Sequence, residues 1–236
     1  MSSSASVAAL VLGAGRGERL GHALPKAFVP LKGRTLLQHS IEALSASGVF
    51  DLIVPVLAKA DLPRFDSLGL AGAPSLGAPV AGGAERQDSM ARGLASLPPD
   101  VTWVAVHDAA RCLVSPEDVR RVVAVAKEAG AALLGERVRD TLKQVEGTQV
   151  IESPDRALYW AAQTPQVMRR DWLEAAIAAE GNSGRRATDD AQLLEWAGHS
   201  VTMVEASAPN PKITLPMDLL LGELLLPKRD KEQKSG

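Results

Sequence analysis

The sequence predicts an α/β fold: a mainly parallel twisted sheet with helices on both faces and a protruding β-hairpin arm. Three observations carry that reading. Residues 7–12 are continuously apolar, the pattern of a strand buried on both faces. Strand-like and helix-like segments then alternate over most of the chain. The rhythm breaks over residues 138–160, where two short polar–apolar runs flank Glu146-Gly147 and read as a hairpin.

Each element follows in order. Gly13, Gly15 and Gly17 come directly after the first strand. Thr35 caps a helix through Leu36, Leu37, Ile41 and Leu44, and Gly48 stops it. Residues 52–57 form a second strand, while the Pro- and Gly-rich residues 58–81 give no clear element. A helix over 85–97 breaks at Pro98-Pro99, and 101–106 is a strand. Ser115-Pro116-Glu117 supplies a cap, a first-turn proline and a first-turn acid for a helix to residue 129. A short strand follows at 131–134. Beyond the hairpin, helices are expected near 171–180 and 188–197, a strand near 201–205 and a helix from Pro216. Residues 218–226 are apolar enough that this last helix is expected to be buried, with a frayed polar end from Pro227. The arrangement is Rossmann-like: one domain over residues 1–227 and a flexible charged tail at 228–236. The hairpin is either a sheet edge or an arm onto a partner subunit.

Composition removes several functions. The 236 residues are 46 % hydrophobic and 23 % charged, which suits a folded globule. An aromatic content of 3 % leaves no stacking platform for single-stranded nucleic acid. A net charge of −2 gives no basic footprint for a duplex, so no nucleic-acid partner is expected. Cys112 is the single cysteine, which excludes an internal disulfide and a cysteine zinc site. His22, His39, His107 and His199 show no metal-ligand spacing. No apolar run reaches the ~18 residues of a spanning helix. No basic residue precedes the first apolar run, so no export signal is indicated and the expected location is cytoplasmic.

A glycine-rich turn after a first strand points to phosphate, because backbone N–H groups reach the anion there. The dinucleotide spacing G-x-G-x-x-G fails: its last position is Glu18 counted from Gly13 and Leu20 counted from Gly15. A P-loop fails too, since no Gly-Lys dipeptide occurs. What remains is Gly13-Ala14-Gly15-Arg16-Gly17-Glu18-Arg19, followed by Pro25-Lys26. A plain strand-to-helix turn has the same glycines. The added cations Arg19 and Lys26 favour a triphosphate site instead.

Further runs extend the pattern: Gly82-Gly83-Ala84-Glu85-Arg86-Gln87-Asp88-Ser89, His107-Asp108-Ala109-Ala110-Arg111 and Val138-Arg139-Asp140-Thr141. Then come Asp155-Arg156, Gln163-Thr164-Pro165-Gln166, Thr188-Asp189-Asp190 and Lys212-Ile213-Thr214. In that order the chain resembles the 2-C-methyl-D-erythritol 4-phosphate cytidylyltransferases of the non-mevalonate isoprenoid pathway, over residues 7–226. The resemblance implies transfer of CMP from CTP to that polyol phosphate with release of pyrophosphate. It implies Arg19, Lys26 and Lys212 as the catalytic cations. Gly13, Ala14, Gly15, Gly17, Gly83, Ala84 and Ser89 would hold the nucleotide. Asp108, Arg111, Thr141, Arg156 and Thr164 would meet the acceptor, and Asp108 would orient Mg²⁺. It also implies a homodimer in which the arm at 138–160 carries Arg156 to the substrate of the other subunit.

The simpler readings stand beside these. Lone lysines and arginines are usually solvated, Asp108 could simply pair with Arg111, and Gly82-Gly83 is a common strand-end turn. Arg139 and Asp140 read as a structural pair at the arm base, His107 as a positioned strand-end residue, and Thr188-Asp189-Asp190 as a helix cap. Ala84 stands where relatives commonly carry Asp, and Gly13-Ala14-Gly15 replaces the commoner Ala-Ala-Gly. Ribitol-5-phosphate cytidylyltransferases share the nucleotide motifs and are the nearest rival. A uridylyl or adenylyl transferase differs in nucleotide choice, and a glycosyltransferase lacks its Asp-x-Asp motif here. A non-catalytic nucleotide sensor would not need the cations. Some relatives are fused to a cyclodiphosphate synthase, and this chain is expected to lack that second domain.

Overall fold

A computed structural model describes residues 6–70, 73, 75–180 and 185–232. The chain runs β1 (Ser6–Leu12), β2 (Pro30–Leu31), β3 (Arg34–Thr35), α1 (Leu36–Ser47), β4 (Leu52–Leu57) and α2 (Leu62–Asp66). It continues through β5 (Val80–Ala81), α3 (Arg86–Ala95), β6 (Val101–Asp108), α4 (Pro116–Ala129), β7 (Ala131–Arg137), β8 (Gln144–Glu146) and β9 (Gln149–Glu152). Last come β10 (Trp160–Arg169), α5 (Arg170–Glu180), α6 (Asp190–Trp196), β11 (Thr202–Glu205) and α7 (Pro216–Glu232).

Seven strands form one sheet in the order β11-β7-β10-β6-β1-β4-β5. All neighbours are parallel except β10, which runs antiparallel to both β6 and β7. The period of two along β1 explains the layers. Val7, Ala9 and Val11 pack under Leu37, Ile41 and Leu44 of α1 and Val119, Val122 and Ala126 of α4. Ala8, Leu10 and Leu12 pack under Met90 and Leu94 of α3, Leu173 of α5 and Leu193 and Leu194 of α6. Helices therefore cover both faces, as the apolar run required.

The helix ends follow local chemistry. Thr35 accepts from the Gln38 amide while the Gln38 side chain accepts from the Thr35 amide, and Gly48 closes α1 at φ 69°. Ser115 caps α4, with Pro116 in its first turn. The hairpin exists as expected: β8 and β9 pair around Gly147 and, among the described residues, join no other strand.

Two expectations need correction. Residues 160–169 suggested no strand, yet β10 lies near the centre of the sheet. Pro165 disguises it, because proline breaks a ladder. The register of β10 shifts between Ala162 and Gln166, and that irregularity accommodates the proline. The last helix is only half covered. Leu219, Leu225 and Leu226 pack on a cluster of Leu20, Leu31, Leu113 and Ile213, while Met217, Leu220, Leu221 and Leu224 are exposed. The backbone of α7 is helical to Glu232.

Candidate active site

Open α/β sheets gather ligands at the carboxyl ends of their strands. Here the loops after β1, β5 and β6 meet there. Backbone bonds fix their spacing: Gly13 N donates to Val56 O, Gly82 N to Leu57 O, and Ala109 N to Leu12 O, at 2.7–3.0 Å. Ile213 N donates to Ala110 O at 2.8 Å and brings the distant 212–214 segment to the same place. Between them lies a cavity of about 260 Å³. Its walls include every residue expected to hold the nucleotide: Gly13, Ala14, Gly15, Gly17, Gly83, Ala84 and Ser89. Arg19, Lys26, Lys212, Arg86 and Asp108 also line it.

The glycines have different reasons to be there. Gly17 sits at φ 70°, and a Cβ on it would lie 2.5 Å from the Lys26 Cβ. Its bareness lets the Lys26 side chain lie across the loop. Gly15 also lines the cavity, but a Cβ there would meet nothing within 4 Å. That open backbone is the cradle an anion could approach. Ser89 is buried, and its hydroxyl accepts from Gly83 N and donates to Glu85 O, both at 3.0 Å. It shapes the turn that presents Gly83 and Ala84.

The charges are tightly arranged. Burial, and then the nearby charges of Lys212 and Arg19, lower the Lys26 ammonium to a pKa of about 8, against some support from Asp108. Lys26 Nζ donates to Thr214 Oγ1 at 3.4 Å. Asp108 ends β6 and is nearly enclosed. Its Oδ2 meets Lys212 Nζ at 2.7 Å and its Oδ1 meets Arg86 Nε at 3.1 Å. Burial opposes its charge, but Arg86 and Lys212 outweigh burial and hold its carboxyl well below the usual carboxylate range. The pairing with Arg111 considered from the sequence does not form. Arg111 donates instead to Asn210 O and Ala162 O.

A second cleft of about 240 Å³ adjoins the first and shares Arg86, Asp108 and Lys212 with it. Arg111, Thr164, Gln163 and Gln166 line it, with Thr188 and Asp189. The Thr164 hydroxyl is committed inside the fold. It accepts from Asp108 N at 3.1 Å and lies 3.0 Å from His107 Nδ1. Burial holds His107 neutral, lowering its pKa to about 4. The positioned, non-basic role expected of His107 fits that setting.

The arm residues stand apart. Thr141 and Arg156 line neither cavity and are exposed. Arg156 donates to Arg139 O, and Arg139 pairs with Glu136 at 2.8 Å rather than with Asp140. The sequence alone assigns Arg86 and Asp190 no site role. Arg86 stood inside a quoted run, but nothing local indicated its partners. Asp190 read as part of a cap, and the cap itself is Asp189, which accepts from Gln192 N.

A glycine-lined wall, four cations and a buried carboxylate suit the handling of a nucleoside triphosphate beside a second anion. That places the chain among the α/β nucleotidyltransferases. The profile of the 2-C-methyl-D-erythritol 4-phosphate cytidylyltransferase (IspD) family matches residues 7–228. A protein of that name from Nocardia farcinica is 42 % identical over 226 residues, covering 95 % of each chain. Another from Syntrophotalea carbinolica is 38 % identical over 224 residues, covering 94 % of this chain and 96 % of its own. The crystal structure of the protein of that name from Thermus thermophilus superposes with a TM-score of 0.74 at 34 % identity, covering 94 % of this chain and 98 % of that one. The chain belongs to the 2-C-methyl-D-erythritol 4-phosphate cytidylyltransferase family.

Proposed function

We propose that this chain transfers CMP from CTP to the phosphate of 2-C-methyl-D-erythritol 4-phosphate. The products are pyrophosphate and 4-diphosphocytidyl-2-C-methyl-D-erythritol. One observation carries the reading beyond family membership: Lys212, distant in sequence from Arg19 and Lys26, joins them on one cavity beside Asp108.

An acceptor phosphate oxygen attacks the α-phosphorus, a new P–O bond forms, and the bond to the β-phosphate oxygen breaks. The acceptor is a phosphate monoester with a second pKa of ~6, so it is already mostly dianionic at neutral pH and needs no strong base. The neutral, buried His107 fits that economy. The protein's task is to hold two repelling anions in line and stabilise charge on the α-phosphate and leaving group. Arg19 and Lys26 face the nucleotide cavity alone, so they serve the triphosphate. Lys212 faces both cavities and serves the phosphate where the new bond forms. Arg111, in the second cleft, serves the acceptor.

Mg²⁺ fits this site only together with the nucleotide. Among the described residues, no group of three or more His, Cys, Asp or Glu side chains is placed to hold a metal. Mg²⁺ commonly takes one or two carboxylates plus phosphate oxygens and water, and Asp108 supplies one carboxylate. When bound, the ion supplies countercharge to the phosphates. The arm would place Thr141 and Arg156 at the acceptor site of a second subunit, because neither lines the two cavities described above. Location follows the same family reading: a cytoplasmic enzyme. Among the described residues no helix is long and apolar enough to cross a membrane.

The test is pyrophosphate release with CTP and Mg²⁺, comparing methylerythritol phosphate with ribitol 5-phosphate. Turnover with the first acceptor alone is expected. Turnover with ribitol phosphate alone would move the protein to the sister reaction. CTP binding without turnover of either would indicate a sensor.

A further inference from the structure

Three residues line both cavities: Arg86, Asp108 and Lys212. Asp108 and Lys212 have roles in the reaction proposed above, and Arg86 has none. Its hydrogen bonds define one. Arg86 Nη1 and Nη2 both reach Asp190, at 2.9 and 2.7 Å, in a two-pronged pair. The remaining Nε donates to Asp108 Oδ1 at 3.1 Å. One planar guanidinium thus bridges two carboxylates from different elements. Asp190 is itself immobilised: it is buried, and its amide and that of Ala191 donate to Gln166 Oε1 at 3.0 and 2.9 Å. Gln166 belongs to β10, close to where that strand meets β6.

We infer that Arg86 is a positioning residue for this reaction, anchored by Asp190 and acting through Asp108 on Lys212. The inference rests on the reaction reading above. The chain of contacts runs from α6 through α3 to β6 and the 212 loop. With Oδ1 held by Arg86, Asp108 turns Oδ2 toward Lys212 Nζ, 2.7 Å away. That fixes the ammonium at the boundary between nucleotide and acceptor. Without the bridge, Asp108 is free to rotate and Lys212 loses its reference point. An ångström of misplacement at a reacting centre costs about 10²-fold in rate. The fork geometry matters as well as the charge, because a lysine ammonium is a point charge that cannot span both carboxylates in this way.

Asp190 gives the cleaner probe, since it is buried and lines neither of these two cavities. Asp190→Asn and Arg86→Lys are compared with the wild-type chain for kcat, acceptor KM, CTP dissociation constant and melting temperature. The acceptor is whichever phosphate the wild type turns over. We expect kcat to fall about 10- to 100-fold in Arg86→Lys and by a smaller factor in Asp190→Asn, with CTP affinity changed less than about threefold. Asp190→Glu should recover part of the loss. Arg86→Lys keeps a cation beside Asp190, so it tests the idea even if Asp190→Asn does not fold. A kcat within about twofold of wild type in Arg86→Lys would overturn the inference. So would a tenfold loss of CTP affinity at unchanged kcat, which would make Arg86 a direct nucleotide ligand. Failure of the reaction reading shows in the wild type, whereas failure of this inference shows only in the ratio of variant to wild type.

Discussion

Lys26 is where burial and charge act most plainly on a single residue. Its pKa of about 8 means that the free enzyme loses this proton near the upper edge of the physiological range. The cation is present below that value and absent above it. kcat/KM for CTP reports ionisations of the free enzyme, so it should fall as pH rises through about 8. Lys26→Arg replaces a titrating ammonium with a guanidinium that stays charged. The alkaline limb should flatten in that variant even if its rate is lower, and a limb of unchanged position would remove Lys26 as its source. Lys26→Ala should lose about 10²–10³ in turnover, the usual effect of deleting one group that stabilises transition-state charge. Asp108 makes the metal testable as well. Both its oxygens already meet cations, so Mg²⁺ should bind weakly in titration calorimetry without CTP and much more strongly with it. A chelator should abolish pyrophosphate release.

At the scale of elements, the glycine loop shows what sequence carries and what it hides. The loop was legible because its glycines and cations lie close together in the chain. The division of labour within it was not, because that depends on Lys26 crossing Gly17. Two substitutions separate those roles. Gly17→Ala places a side chain at φ 70° and pushes on the Lys26 stem. It should destabilise the loop by about 1–2 kcal/mol, read as a lower melting temperature, and reduce turnover. Gly15→Ala meets no protein atom within 4 Å, so it should leave the melting temperature unchanged and weaken CTP binding. Equal melting temperatures for the two variants would contradict this assignment. Strand β10 was hidden for another reason. Its Pro165 sits where the register shifts, and only the neighbouring strands reveal that the ladder resumes at Gln166. Helix α7 is less buried than its apolar sequence suggests, since apolarity alone does not say how many faces find a partner. The Arg86–Asp190 bridge joins residues 104 positions apart, and no local pattern announces such a pair.

At the scale of the whole molecule, the site as one chain builds it has no visible use for the arm. A two-stranded hairpin alone is marginal in water, yet this one pairs with no other strand among the described residues and leaves Val145, Val150 and Ile151 more than half exposed. Leu158, just beyond it, is 80 % exposed. A second subunit would cover those side chains and give Arg156 a phosphate to bind in its two-pronged fashion. The prediction is a homodimer by analytical ultracentrifugation at assay concentrations. Val150→Asp with Ile151→Asp should yield a monomer that binds CTP normally and turns over no acceptor, and a fully active monomer would contradict the arm's role. Mixed subunits give a sharper test. Lys26→Ala lacks the nucleotide cation and Arg156→Ala lacks the arm cation. If each arm serves the other subunit, a mixed dimer holds one complete site, formed by the Arg156→Ala chain's cavity and the Lys26→Ala chain's arm. Random reassociation of equal amounts should then restore about a quarter of wild-type turnover, because half the dimers are mixed and each has one working site of two. If Arg156 served its own chain, no mixed site would be complete, and activity would stay at the sum of two inactive variants.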